Sequence, residues 1–283
     1  MKKIDLSSYM GKDINEVIKL ANNLSIKNLE DKINAHFIYN SILDIIPNQY
    51  NYKYSKIRGD VNQKIWEIER HFNWNQNYHS QSGQDKCVKE YFFKNKKNGY
   101  FVEIGAYDGV TGSNCLFFEN VMQWKGIAIE PSPSLFTKLK KNRKCECLNI
   151  AVSNKQSKNE FVEVINGYTQ MGGLNTEEYN DTLNLITSDP RTKMNKLFVK
   201  TINLNDLIKK NNVIDYLSID VEGEEMRIIE SIDYKLLTIK VLSIENNSKI
   251  KKSFYNFLKE KNFEYFDTLG KDEIYYNKNI FNI

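Results

Sequence analysis

Apolar residues follow two regimes along the chain. Before residue 75 they recur at helical spacing, first at Ile26, Leu29, Ile33 and Phe37, then at Ile57, Val61, Ile65, Ile68 and Phe72. These intervals place each set on one face of a helix. Pro47 and the Asn- and Tyr-rich stretch 48–54 separate them. No strand pattern occurs there, so residues 1–78 are expected to form a helical N-terminal extension, with Trp66 and Trp74 as candidates for a domain or dimer interface. From residue 99 short β-branched or aromatic runs alternate with helical segments. The pattern predicts strands over 100–105, 126–130, 146–150, 214–220, 240–245, 263–268 and 273–277. It predicts helices near 113–123, 133–142, 224–232 and 249–261. Buried strands alternating with helices imply an α/β domain over 79–283, with a mostly parallel sheet covered on both faces. The last two strands are joined by a few residues around Gly270, a connection that only an antiparallel hairpin permits. Between 151 and 213 the alternation breaks, with extra strands predicted over 159–165 and 197–203. This insertion, about 153–205, follows the third strand and is expected to sit as a lid-like element at the carboxyl edge of the sheet.

The chain of 283 residues carries 40 basic and 36 acidic side chains, for a net charge of +4. That surplus suits anionic ligands but is too small to demand nucleic acid. With 27% charged, 41% hydrophobic and 12% aromatic residues, the composition excludes wholesale disorder. No run approaches the ~20 apolar residues of a membrane span. The start, MKKIDLSSYMGKD, lacks the apolar core of a secretory signal, so a cytoplasmic location is expected. Cys145 and Cys147 are too close for an easy disulfide, and no histidine completes a zinc pattern with them.

Two segments carry candidate chemistry. From Phe101 to Gly109 the chain reads FVEIGAYDG, a strand entering a tight turn in which Gly105 and Gly109 let backbone approach a ligand. Glu130, at the end of the next strand and about 20 residues on, occupies the position of a ribose-hydroxyl acceptor in Rossmann-like folds. The glycine spacing is not that of a pyrophosphate cradle, and the acids Glu103 and Asp108 flank the loop. S-adenosylmethionine, with its sulfonium, amino acid and adenosine, matches such a lining. Glu103, Gly105, Ala106, Tyr107, Asp108, Gly109, Glu130, Pro131 and Asp220 are the candidate cofactor contacts. Tyr107, Tyr168, Gln170 and Met171 are candidate substrate contacts.

The second segment lies at two adjacent strand ends, Asp220 to Gly223 and Glu245 to Asn247. Asp220, Glu245 and Asn246 would offer three hard oxygen ligands to Mg2+ or another divalent cation. Alternatively Asp220 or Glu222 acts as a general base without metal, Asp220 being nearer the strand end. His79 is a further candidate base. Arg191 and Lys193 in the insertion are candidates for a nucleotide diphosphate, and the run 138–144 reads as a solvated basic helix end.

Over residues 79 to 278 the sequence resembles the FkbM-type S-adenosylmethionine-dependent methyltransferases. The resemblance rests on SQSGQD at Ser80, on the segments Phe101 to Gly109 and Gly126 to Pro131, on NIAV at Asn149 and TINLND at Thr201, and on DVEG at Asp220. It implies a class I methyltransferase fold, a seven-stranded Rossmann-like sheet with one antiparallel strand. It also implies O-methylation, commonly of sugars, as in surface-polysaccharide biosynthesis. Gln81, Gln84, Gly105, Ser113, Asn114, Glu130 and Ala151 are then expected to line the cofactor site. Asp220, Glu245 and Asn246 are similar to the metal ligands of catechol O-methyltransferase-like enzymes, with Glu245 replacing an Asp and Gly223 leaving their lysine base without a counterpart. The alternatives are an RNA ribose 2′-O-methyltransferase, which needs a strongly basic groove, and a non-catalytic binding protein that kept the fold. A homodimer through the N-terminal helices is a further expectation.

Overall fold

The structure, a computed structural model, describes residues 13–47, 50–208, 213–247 and 254–283. Three helices open it: α1 (Ile14–Ser25), α2 (Leu29–Ile45) and α3 (Tyr52–His71). Each is entered through Asp13, Asn28 or Asn51, whose side chain accepts one of the orphan N–H groups of the first turn. The stripe expected on α3 holds, since Val61, Ile65 and Ile68 are buried. The stripe expected around α2 does not. Ile26, Leu29 and Phe37 are 82%, 60% and 54% exposed. The core takes the opposite face instead, through Ala35, Ile38, Tyr39 and Ile42. Helix α2 is apolar on both sides, and Tyr39 can enter the core because its hydroxyl donates to Asn22 Oδ1 at 2.6 Å. Trp66 is buried against Gly83 and Tyr78, whereas Trp74 is half exposed and stacks on Phe72.

After a short α4 (Gln84–Val88) and a π-helical turn, the chain enters the alternating region. Its elements are β1 (Tyr100–Ile104), α5 (Leu116–Asn120), β2 (Lys125–Ile129), α6 (Pro133–Asn142) and β3 (Glu146–Leu148). The insertion follows, with β4 (Ala151–Val152), β5 (Ser157–Asn166), β6 (Gly173–Leu174), α7 (Asn180–Ser188) and β7 (Lys193–Ile202). Then come α8 (Leu204–Leu207), β8 (Val213–Ile219), α9 (Glu225–Ser231), β9 (Thr238–Glu245), α10 (Phe254–Glu260), β10 (Phe263–Leu269) and β11 (Asp272–Asn277). Of the predicted elements, 249–253 and part of the 48–54 linker lie outside the described residues.

Seven strands form one sheet in the order β10-β11-β9-β8-β1-β2-β3. Only β11 is reversed, antiparallel to both neighbours. This is the class I methyltransferase sheet. Its central strands are buried on both faces, which is why they read as continuous apolar runs rather than alternating ones. The insertion contributes a separate four-stranded sheet, β4-β7-β5-β6. Two of its strands have two residues each, too short to show any periodicity.

Helix α3 is locked onto the β10–β11 hairpin. A Cβ at Gly59 would lie 2.3 Å from the Gly270 carbonyl oxygen, so only glycine lets the two backbones meet. There the Gly270 N–H donates to the Gly59 carbonyl at 3.1 Å, and Asn62 Nδ2 donates to the Thr268 carbonyl at 2.7 Å. Beside them Arg58 makes a buried bidentate pair with Asp267, at 2.6 and 2.8 Å. Its Nη1 also donates to the Leu43 and Ile46 carbonyls at the end of α2. Among the described residues no helix is long and apolar enough to cross a membrane.

Candidate active site

The carboxyl ends of β1, β2, β8 and β9 open into one cavity of about 880 Å³, the place where open α/β sheets bind ligands. Residues of the insertion form one wall, and α3 with the Gly270 turn forms another.

The turn after β1 is shaped by its contacts. A Cβ on Gly105 would stand 1.7 Å from the Asp220 carbonyl oxygen, and the residue sits at φ +87°. The glycine therefore lets β1 and β8 converge at the cavity floor. Gly109 does different work from that expected: a Cβ there would strike Leu139 and Arg143, and the residue does not line the cavity. Asp108 does not reach the cavity either. Its carboxylate accepts from the Val110 and Thr111 N–H groups and from the Thr111 hydroxyl, closing the turn on itself. Tyr107 holds φ 50°, a left-handed conformation that costs a non-glycine residue about 1 kcal/mol. Its N–H donates to Glu130 Oε2 at 2.9 Å, and its hydroxyl meets Thr169 Oγ1 of the insertion at 2.6 Å.

Glu130 ends β2 facing the cavity and also accepts from the Ser132 N–H. Burial pushes its carboxyl up to about 8, against the pull of those two N–H groups and with a small push from Glu163. Glu103 lines the same floor, but its carboxylate is engaged inside the protein. Oε2 pairs with Arg143 Nη1 at 2.6 Å, while Oε1 accepts from Ser113 Oγ and the Asn114 N–H. Arg143 also pairs with Glu119. It belongs to the basic run expected to be solvated, yet its side chain is fully buried. Two acids face this one guanidinium, which compensates the cost of burying it.

The SQSGQD element folds around Asp85. This buried carboxylate accepts from the His79 N–H at 2.6 Å, from the Ser80 N–H and hydroxyl, and from the Lys86 N–H. Gln81 and Gln84 are thereby held against the cavity. Asn114 donates through Nδ2 to Ser218 Oγ at 3.0 Å and to Asp272 Oδ2 at 3.3 Å. Its Oδ1 is buried and has no partner among the described residues. An acceptor left unpaired on a residue that lines a cavity is a candidate contact for a ligand donor.

Carboxylates gather where β8 and β9 end and β11 begins. Oxygens of Asp220, Glu222 and Glu245 all lie within 4.8 Å of one another. Burial and mutual repulsion raise all three, with Glu222 pushed up to about 8 and Asp220 and Glu245 well above the usual carboxylate range. Glu222 sits at φ 60°, a second strained non-glycine residue on the cavity. Glu225 is buried beneath and accepts from the Val221 and Gly223 N–H groups, which folds this turn. The expected third ligand, Asn246, points elsewhere. Alternation along the strand aims it away from Glu245, and its Nδ2 donates to Glu273 Oε1. Glu222 takes its place in the cluster, and Asn247 Nδ2 donates to Glu245 Oε2 at 2.7 Å. Three carboxylates at this spacing form a hard-oxygen donor set that fits a divalent cation.

Of the remaining expected residues, Ala106, Pro131, Ser113, Ala151, Gln170, Met171 and His79 line the cavity, and Tyr168 does not. Arg191 is 71% exposed and bound to Asp189, and neither it nor Lys193 reaches the cavity. Sequence reasoning missed Asp272, Lys271 and Arg70, all on the cavity wall. Their placement depends on the hairpin turn meeting α3, which no local pattern announces.

The family model "Methyltransferase FkbM domain" matches residues 103–265. The chain belongs to the FkbM methyltransferase-domain family. No curated protein matches the sequence. Among solved structures, the FkbM methyltransferase from Methylobacillus flagellatus KT is similar at 9% identity and a TM-score of 0.43, covering 86% of this chain and 60% of that one. This chain thus spans 60% of the length of that relative. A TehB-like SAM-dependent methyltransferase from Corynebacterium glutamicum shows 9% identity and a TM-score of 0.36, covering 75% of this chain and 96% of its own. The N-terminal domain of human METTL16 shows 9% identity and a TM-score of 0.37, with 100% and 98% covered. The family assignment rests on the family model alone.

Proposed function

We propose that this FkbM-family chain transfers a methyl group from S-adenosylmethionine to a hydroxyl of a sugar, on a nucleotide-activated sugar or a surface glycan such as capsule or lipopolysaccharide. The observation that carries the reading is that one cavity joins a nucleoside-type end to a carboxylate end. Glu130 at one end can accept from ribose hydroxyls, and the orphan Asn114 Oδ1 can accept from an ammonium group. Gln81, Gln84, Gly105, Tyr107, Ser113 and Ala151 complete that half of the wall. Bound there, the cofactor supplies an electrophilic methyl group on a sulfonium.

The other end supplies the base. Asp220, in its ionised form and with Glu222 beside it, takes the proton of the acceptor hydroxyl, alone or through a divalent cation, as the oxygen attacks in line. Holding the hydroxyl at that position supplies much of the rate. Asp220, Glu222 and Glu245 would hold a divalent cation, which would lower the pKa of the hydroxyl. The acid-rich floor opposes an RNA phosphate backbone.

The test is calorimetry with S-adenosylhomocysteine, followed by incubation with labelled S-adenosylmethionine and a panel of nucleotide sugars read by mass spectrometry. Asp220→Asn should retain S-adenosylhomocysteine binding while turnover falls by about 10²–10⁴. Absence of S-adenosylhomocysteine binding by the wild-type protein would sink the reading. Turnover unchanged by EDTA and by Glu245→Ala would remove the cation from it.

A further inference from the structure

The cavity is polarised in a way the methyl-transfer reading leaves unused. Its floor is lined by acids, but its outer wall carries two cations, Arg70 at the end of α3 and Lys271 on the hairpin turn. Lys271 is already engaged, donating to Asn247 Oδ1 at 3.0 Å and lying 3.7 Å from Glu245. Arg70 is not. Its exposed guanidinium makes no hydrogen bond or ion pair among the described residues, although it borders both the main cavity and a small adjoining one with Asn73, Asn75, Gln76 and Tyr78.

His79 lines the same cavity, its backbone is pinned by Asp85, and the charge of Arg70 reaches it. Burial lowers the pKa of His79, and the charges of Arg143 and Arg70 lower it further against the pull of Glu103. An unpaired, always-charged planar fork and an imidazole on the wall of an otherwise acidic cavity are suited to an oxyanion. Asp60 on the same wall sits two turns and more N-terminal on α3 and is also exposed, so it bounds the anion's place from one side.

We propose that Arg70 and His79 form an acceptor anchor that binds an oxyanion of the substrate, a phosphoryl or carboxylate group, while the sugar hydroxyl reaches Asp220. The proposal deepens the sugar-methylation reading and rests on it for the identity of the acceptor. It places substrate selection partly on α3, which precedes the family domain at 103–265.

The test separates the two readings. Titrating the full chain with S-adenosylhomocysteine reports on the methyltransferase site alone. The S-adenosylhomocysteine-saturated protein is then titrated with inorganic pyrophosphate and, separately, with glucuronate. These arms distinguish a phosphoryl from a carboxylate source, and binding of either one supports the anchor. In Arg70→Ala the anion affinity should fall about 10–100-fold, the size of a charge-assisted contact. Arg70→Lys should recover part of the loss, and S-adenosylhomocysteine affinity and the melting temperature should not change. Neither anion binding to the wild type, or anion affinity unchanged in Arg70→Ala, would overturn the anchor. A parallel loss of S-adenosylhomocysteine affinity would also overturn it, assigning Arg70 to the cofactor's own carboxylate.

Discussion

Replacing Arg58 with methionine should destabilise the protein more than any surface change. The side chains of Arg58 and Asp267 are 8% and 12% exposed, and their bidentate contact joins α3 to β10. Arg58→Met leaves the Asp267 carboxylate buried with the Thr268 N–H as its remaining donor among the described residues. It also strips the Leu43 and Ile46 carbonyls of their donor at the end of α2. Breaking a buried pair from one side costs about 3–5 kcal/mol, because the surviving charge is left uncompensated. For a chain of this length that corresponds to a melting-temperature loss of roughly 5–8 °C. The pair itself has no such worth, since its attraction is spent against desolvation. Arg58→Met combined with Asp267→Leu should therefore recover most of the loss. The assay is thermal unfolding of the wild type, both single variants and the double variant, read as a double-mutant cycle. A loss under about 2 °C in Arg58→Met, or a double variant no more stable than Arg58→Met, would refute the reasoning.

Two further predictions concern the cofactor end. With its carboxyl pushed up to about 8 by burial, Glu130 is mostly protonated at neutral pH, whereas ribose hydroxyls donate best to the ionised form. S-adenosylhomocysteine binding at pH 7 should release a proton and strengthen as pH rises toward about 8, then level off; calorimetry in buffers of different ionisation enthalpy reads this, and Glu130→Gln should abolish it. The sign for the unliganded protein is opposite. The folded state holds this proton more tightly than the unfolded one, so this group's contribution to stability declines as pH climbs from about 4.3 to about 8. Gly105→Ala should cost roughly 3 kcal/mol or more, because its methyl group collides with the Asp220 carbonyl at a φ that favours glycine. A melting temperature within about 2 °C of the wild type would contradict that.

The α/β core was legible because buried parallel strands advertise themselves as unbroken β-branched runs, and the Gly270 hairpin because so short a connection has one solution. What escaped was anything decided by which of two faces wins. Helix α2 offers two apolar stripes, and the choice between them is made by α1 and α3 rather than by α2 itself. Asn246 and Glu245 are adjacent in sequence, so a strand must send them to opposite sides, and Glu222 from another turn fills the gap. Arg143 looked like one more solvated cation until Glu103 and Glu119, 40 and 24 residues away, were seen to enclose it. Gln81, Gln84, Ser113 and Asn114 came only through family resemblance, since single polar residues carry no periodicity.

The clasp between α3 and the hairpin also sets a timetable. Arg58 and Asp267 are 209 residues apart, so a ribosome adding about 5–20 residues per second delivers the partner ~10–40 s after Arg58. During that interval the three helices can assemble their own core around Ala35, Ile38 and Ile65, with one face and one guanidinium still waiting. The α3 side of the cavity wall is thus made well before the hairpin that fastens it.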